Sequence, residues 1–377
     1  MIKPVISIII ITRNRPFLLG HCLERVWSQS SVGTSHDELG SYSASGSGVV
    51  ARNIEAFPAE QLSEARRDSG VVARNIEIIV VDSSSNNESE RVVARYPSTK
   101  YIKVRRERNN MPQARNRGLA CATGEIIAFI DDDSMVQPGW LESLVEVYKD
   151  ETIGAAGGRV IAMPEPYCDE RQGPPRLYVT WLGRVVASNA GLVSKARVEV
   201  DHLIGCNMSF RRAALTEVGG FDPNFTMTNL REETDLCLRV KRAGWRIVFE
   251  PRIAVVHFSV RSLQPYFLER PTIQFSNGRN GSYFAIKHFG LTPRSIGGQL
   301  IDAGRSCGRA AYFVGLFSIG ALAHVAGRIV GVTEGIRWLK SCEHQAHENE
   351  YENPTRQGKR EAPAPLPAHP LAPTISV

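Results

Sequence analysis

The stretch Ile126-Ile-Ala-Phe-Ile-Asp-Asp-Asp-Ser134 decides the fold. Its five apolar residues show no alternation with polar ones, the pattern of a strand buried on both faces rather than one with a wet side. Two other runs read the same way, Val5 to Ile11 and Ile76 to Val81. Each run stops abruptly on polar residues: Thr12-Arg13-Asn14-Arg15, Asp82-Ser83-Ser84-Ser85 and Asp131-Asp132-Asp133-Ser134. Strands of this kind, with helix-like segments between them, predict an α/β fold with a mostly parallel central sheet and helices on both faces. In such sheets ligands bind beyond the carboxyl ends of the strands, so the three polar clusters are expected to converge on one crevice.

Within the acidic cluster, extended backbone sends residues i and i+2 the same way, so Asp131 and Asp133 address one ligand while Asp132 points elsewhere. Carboxylates crowded at a strand end repel, and a hard divalent cation bound with a nucleotide diphosphate relieves that repulsion. A solvated acidic turn, or a cap on the following helix at Ser134, accounts for the same residues without a ligand. The surrounding segments weigh against that reading. Upstream stand Asn110-Met-Pro-Gln-Ala-Arg-Asn-Arg-Gly118 and Gly124-Glu125; downstream stand Arg231-Glu-Glu-Thr-Asp-Leu-Cys-Leu-Arg239 and Ala243-Gly-Trp245.

In this order the segments resemble the family 2 glycosyltransferases of the GT-A, Rossmann-like fold. That family places a T-R-N-like turn, a V-V-D strand end, an A-R-N-x-G segment, an F-x-D-D-D motif and an E-D-x-D-L-x-x-R helix along the chain. The resemblance covers roughly residues 4 to 260, and the ordered set is more specific than any one motif. It implies an inverting, metal-dependent glycosyltransferase, of hexosyl or deoxyhexosyl type, that takes a sugar from a nucleotide-diphosphate donor to an acceptor hydroxyl. On the donor side it implies Thr12, Asn14 and Asp82 around base and ribose, with Arg115, Asp131 and Asp132 near the nucleotide. Asp133 and Asp131, with His257 at the end of a late strand, would hold Mn²⁺ or Mg²⁺. Where the family writes Glu-Asp, this chain reads Glu232-Glu233, so the matching base is Glu233, with Asp235 an alternative register; all three acids would also simply suit a helix N-terminus. Gly205 and Asn207, in a G-x-N-x-x-x-R-like stretch, and Glu232 would face the acceptor, expected to be a growing glycan, polysaccharide or lipid-linked molecule.

Two rival readings remain. A sugar-phosphate nucleotidyltransferase would use a similar sheet and acidic motif, but it calls for a glycine-rich basic loop after the first strand, where this chain has Thr12-Arg-Asn-Arg-Pro16. A catalytically silent scaffold of a polysaccharide-synthesis complex would keep the fold without turnover.

Composition sets the outer bounds. The 377 residues are 42% hydrophobic and 22% charged, enough to bury a real core and unlike a disordered or collagen-like chain. Net charge is +6, a modest excess that suits anionic metabolites or acidic lipid better than nucleic acid. Seven scattered cysteines without a CxxC pair indicate neither a disulfide framework nor zinc. With no signal-peptide pattern at Met1-Ile-Lys-Pro-Val-Ile-Ser7, the expectation is a cytoplasmic protein at the inner face of the cell membrane.

Residues 1–260 are therefore expected to form the catalytic domain, 261–342 a helical, apolar and basic extension, and 343–377 a disordered tail. Residues 31–74 read as a surface insert in which Ser47-Gly-Val-Val-Ala-Arg-Asn-Ile-Glu55 returns unchanged as Ser69 to Glu77. Two copies do not make a solenoid. In the extension, the uncharged run Ala310 to Gly327 is short for a span and rich in Ala and Gly, and Gly327, Gly331 and Gly335 fall four apart. Close helix packing and peripheral membrane contact are expected ahead of a transmembrane segment.

Overall fold

A computed structural model describes residues 5–30, 76–104, 110–163, 173–188, 193–194, 196–258, 271–314 and 319–352. The duplicated insert, apart from Ile76 and Glu77, lies outside them. The described chain divides into two compact units, one of residues 1–178 with 186–269, the other of residues 179–185 with 270–377.

The first unit is an α/β fold. Its strands are β1 Ile6–Thr12, β2 Ile76–Asp82, β3 Lys100–Lys103, β4 Ile126–Asp131, β5 Ser134–Val136, β6 Ile153–Gly157, β7 Val160–Met163, β10 Val198–Glu199, β11 Asn207–Arg211, β12 Arg246–Phe249 and β13 Val255–Phe258. The short pair β8 Arg176–Val179 and β9 Val185–Ser188 stands apart as a two-stranded sheet. Helices α1 Pro16–Ser30, α2 Glu88–Val93, α3 Met111–Cys121, α4 Trp140–Val147, α5 Arg212–Val218 and α6 Glu232–Arg242 connect the strands. Eight strands form the central sheet in the order β10-β12-β6-β11-β4-β1-β2-β3.

The three apolar runs of the sequence are its middle strands. β1 pairs in parallel with both β2 and β4, Ile6 standing opposite Ile76 and Ile126. That register levels the strand ends, with Thr12 beside Asp82 and Ile11 beside Asp131. The lack of alternation has the expected cause. Ile6, Ile8 and Ile10 of β1 pack with Ile126, Ala128 and Ile130 against α1, α2 and α4, while Ile9, Ile127 and Phe129 pack against α3, α5 and α6. Both faces of each strand are core.

Glu77 shows why the second copy of the duplicated segment supplies β2. Its carboxylate accepts from Ser7 Oγ, from the Thr123 backbone N–H at 2.8 Å and from Lys100, tying β1, β3 and the end of α3 together. Ile78 to Asp82 continue that strand, whereas the first copy runs on into Ala56-Phe-Pro58, where proline cannot donate to a central ladder.

The second unit holds α7 Pro271–Phe289, α8 Pro293–Val314 and α9 Ile319–Glu352. The uncharged run of the sequence is divided between α8 and α9, and among the described residues no helix is long and apolar enough to cross a membrane. The glycine spacing acts as expected. A Cβ on Gly327 would strike the carbonyl oxygen of Phe275, and one on Gly331 that of Arg279, so only glycine lets α9 lie this close to α7. Helix α9 runs on to Glu352, ten residues into the stretch expected to be disordered. Extending an existing helix needs no new nucleus, and Glu343-His-Gln-Ala-His-Glu348 is made largely of helix formers.

Candidate active site

A small three-stranded sheet, β5-β13-β7, builds the acidic end of the crevice. β5 begins one residue after the acidic triplet and pairs antiparallel with β13, placing His257 opposite Ser134. The Phe258 N–H donates to the Asp133 carbonyl at 2.8 Å. Residues 123 and 125 positions apart are thereby locked side by side. One ligand atom from each of Asp131, Asp133 and His257 lies within 4.8 Å of the others, and His257 Nε2 stands 3.1 Å from Asp133 Oδ1. That buried oxygen accepts no well-directed hydrogen bond, and two carboxylates with one imidazole are a donor set suited to Mn²⁺ or Mg²⁺. The residues thus fit a divalent cation.

Asp132 points away from this trio, as the i, i+2 rule expects. Its oxygens accept from Thr12 Oγ1 at 2.8 Å and from Arg15 Nη1 at 3.2 Å. Arg15 Nη1 also reaches Asp133 Oδ2 at 2.7 Å. Arg15 belongs to the first polar cluster of the sequence, where nothing local marks its partners; the signal for its role is a second arginine in a turn that ends beside three aspartates. Burial pushes the Asp132 carboxyl up to about 7. Burial would also raise Asp133, but His257 and Arg15 hold it below its ordinary value, and His257 is in turn raised despite burial because Asp133 faces it.

The crevice is a cavity of about 1230 Å³ whose lining includes Thr12, Arg15, Lys103, Asp131, Asp133 and His257. Asp82, expected near the ribose, is fully buried at its edge. It accepts from Tyr101 Oη at 2.7 Å, Lys103 Nζ at 2.9 Å and the Ser84 N–H at 2.7 Å, and these partners hold it below the carboxylate range although burial alone would raise it. Asn14 is left-handed, at φ 52°, and its side chain accepts from the Ser85 N–H at 3.1 Å, stapling the ends of β1 and β2.

Arg115 is 1% exposed and works as a buried strut. Nη2 donates to Asp131 Oδ1 at 3.2 Å and to the Gly205 carbonyl at 3.1 Å, and Nη1 pairs with Glu232 at the start of α6. The metal trio, the Gly205 loop and the α6 N-terminus are therefore joined through one guanidinium. The segment leading into α6 contains Met227, Asn229 and Arg231, all left-handed without being glycine, and Met227 and Asn229 line the cavity. Such backbone persists only where its surroundings enforce it.

Residues 66–219 match the model of glycosyl transferase family 2. The chain carries a family 2 glycosyltransferase domain. Among curated relatives, the chain is 27% identical over 208 residues to the pre-mycofactocin glycosyltransferase of Mycobacterium tuberculosis, covering 53% of this chain and 42% of that one. It is 29% identical over 157 residues to the glucosyl-dolichyl phosphate glucuronosyltransferase of Haloferax volcanii, covering 40% of this chain and 48% of that one. The chain thus spans about half the length of these relatives. A solved structure of the mannosyltransferase PcManGT from Pyrobaculum calidifontis, in complex with GDP-Man and Mn²⁺, superposes with a TM-score of 0.46 at 17% identity over 94% of this chain and 84% of that one.

The remaining expected site residues sit at the start of α6 and on β11. Glu232, expected on the acceptor side, is buried and pairs with Arg115. Glu233 is half-buried in the first turn of α6, and Asp235 is fully buried and paired with Arg239 one turn on at 2.8 Å; neither lines the cavity. Asn207, expected on the acceptor side, is 1% exposed: its amide donates to the Ile253 and Arg159 carbonyls, and its oxygen accepts from Trp140 Nε1. This side chain ties strands together inside the fold.

Proposed function

We propose that the protein is an inverting glycosyltransferase that takes a hexosyl or deoxyhexosyl group from a nucleotide-diphosphate sugar to the hydroxyl of a glycan or lipid-linked acceptor. The observation that carries this reading is the trio of Asp131, Asp133 and His257 at the end of a crevice reached by the ends of β1, β2 and β4, within a family 2 domain. A divalent cation held by these three residues would offset the charge of the leaving nucleoside diphosphate. Thr12, Lys103 and the ends of β1 and β2 would take the nucleoside, in the place the sheet reserves for a ligand.

The base is Glu233. It follows directly on Glu232, which Arg115 anchors, so the first turn of α6 is held at a fixed distance from Asp131, a prerequisite for a group that must meet an acceptor hydroxyl in line with the leaving group. Asp235 has its carboxylate committed to Arg239. A single displacement with Glu233 accepting the hydroxyl proton needs no covalent nucleophile and inverts the anomeric carbon.

Peripheral contact at the inner face of the cell membrane fits an acceptor carried on lipid. The exposed apolar side chains Leu300, Leu322 and Ile329 of the second unit support it, in a region where Leu291 to Lys340 carry six basic and two acidic residues.

The test is a panel of sugar nucleotides with Mn²⁺ or Mg²⁺, following release of nucleoside diphosphate, with the product anomer determined by NMR. Release from one donor class and inversion at the anomeric carbon are expected. Pyrophosphate release from a nucleoside triphosphate and sugar phosphate would instead mean a nucleotidyltransferase.

A further inference from the structure

The acidic motif carries a counter-cation of its own. Arg15 sets Nη1 2.7 Å from Asp133 Oδ2 and 3.2 Å from Asp132 Oδ1. The two carboxylates are nearly sealed, at 7% and 6% side-chain exposure, whereas Arg15 keeps 40% and lines the cavity. Its backbone is fixed: it precedes Pro16 at the start of α1, and its carbonyl accepts from the Leu19 N–H at 3.0 Å. Only the long side chain can relocate without unwinding the helix.

The two oxygens of Asp133 serve different partners. Oδ2 meets Arg15, while Oδ1 faces His257 in the group with Asp131. A dication on that group would find a unit positive charge already within hydrogen-bond reach of one of its ligands, and in a half-buried site the two repel. A guanidinium fork matches the oxygens of a phosphate as well as those of a carboxylate. We propose that Arg15 is an exchangeable counter-cation: without donor it neutralises Asp132 and Asp133, and with donor bound it gives up Asp133 and takes the diphosphate oxygens. This rests on the reading of the cavity as a sugar-nucleotide site.

The test uses the full chain. Mn²⁺ alone is titrated by calorimetry, then UDP and GDP are titrated in saturating Mn²⁺. Arg15→Gln is expected to bind Mn²⁺ several-fold more tightly than the wild type, and the nucleoside diphosphate on the order of tenfold more weakly. Arg15→Lys restores the wild-type Mn²⁺ affinity but recovers only part of the diphosphate affinity, because an ammonium lacks the fork. If Arg15 were a static pin of the acidic turn, its loss would loosen the metal ligands, so unchanged or weaker Mn²⁺ binding by Arg15→Gln overturns the proposal. Unchanged diphosphate affinity overturns it equally. If Arg15→Gln fails to fold by circular dichroism, Arg15→Lys decides alone, and a diphosphate affinity equal to wild type refutes the exchange. Wild-type protein that binds neither Mn²⁺ nor either nucleoside diphosphate overturns the underlying site reading, and the exchange with it; that failure shows in the wild type and not in the variant.

Discussion

Asp133 and Asn207 are both buried polar residues near the same crevice, and they call for opposite outcomes on substitution. Asp133→Ala removes a group at a strand end whose partners are Arg15 and His257, outside the apolar core. It is expected to abolish Mn²⁺ binding and turnover while leaving the far-ultraviolet circular dichroism and melting curve near wild type; full activity in this variant would remove the metal assignment. Asn207→Ala leaves the Trp140 indole N–H without its acceptor and takes a donor from the Ile253 carbonyl inside the fold. It should cost about 1–3 kcal/mol in denaturant unfolding, with activity retained by the folded fraction. Glu233→Gln is expected to lower kcat by on the order of a hundredfold while nucleotide binding persists. Normal turnover in Glu233→Gln, with loss in Asp235→Asn, would move the base two residues on.

The sequence exposed the acids of this site better than their partners. The triplet Asp131-Asp132-Asp133 and the strand-end position of His257 are local facts, visible in periodicity. That Asp132 answers to Thr12 and Arg15, or that Glu232 answers to Arg115, depends on pairings across 117 to 120 residues that no local pattern encodes. The partners of Asn207 were hidden for the same reason: a motif gives the residue, and only packing decides which carbonyls its amide meets.

Among the elements, β2 and α9 are held by different physics. β2 depends on one charged side chain at its start. Burial alone would raise Glu77, yet Lys100, Ser7 and the Thr123 N–H hold it below its ordinary value. Its folded pKa therefore lies under its unfolded one, so the stabilisation is present above about pH 4.3 and fades as pH falls through the folded value. Glu77→Gln should cost about 1–3 kcal/mol at pH 7, and the gap from wild type should narrow below pH 4 in urea titrations run across pH. An unchanged gap at pH 3 would mean that the carboxylate charge is irrelevant. Helix α9 instead depends on absent side chains. Gly327→Val is expected to destabilise the second unit by about 1–3 kcal/mol through collision with the Phe275 carbonyl, whereas Ile329→Ala, 63% exposed, should stay within about 0.5 kcal/mol. The four-residue glycine spacing made that contact legible in advance. The division of the uncharged run between α8 and α9 was not, because hydropathy does not mark which residues fall in which helix.

For the whole molecule, the expectation of a dispensable insert and a membrane-facing extension leads to two truncations. Deleting residues 32–68 should preserve donor hydrolysis, since the β2 register is set by Glu77 and the residues after it; a folded but inactive deletion protein would point to a lid or partner site. Truncation after Gly290 removes α8 and α9 and is expected to shift the protein from the membrane to the soluble fraction at low salt. Full-length protein found wholly soluble would exclude the attachment.

The strand order has one more consequence. An open sheet has two rims, and each offers unpaired backbone groups on which another chain could build a cross-molecular ladder. Here one rim is β3, which begins on Lys100 and ends on Lys103, both partly exposed, and the other is β10, only two residues long. A growing aggregate would have to desolvate two ammonium groups at the first rim and would find almost no ladder at the second. The apolar strands that make the crevice are thus kept in the middle of the sheet, and among the described residues neither rim offers a copy of the chain a long apolar ladder.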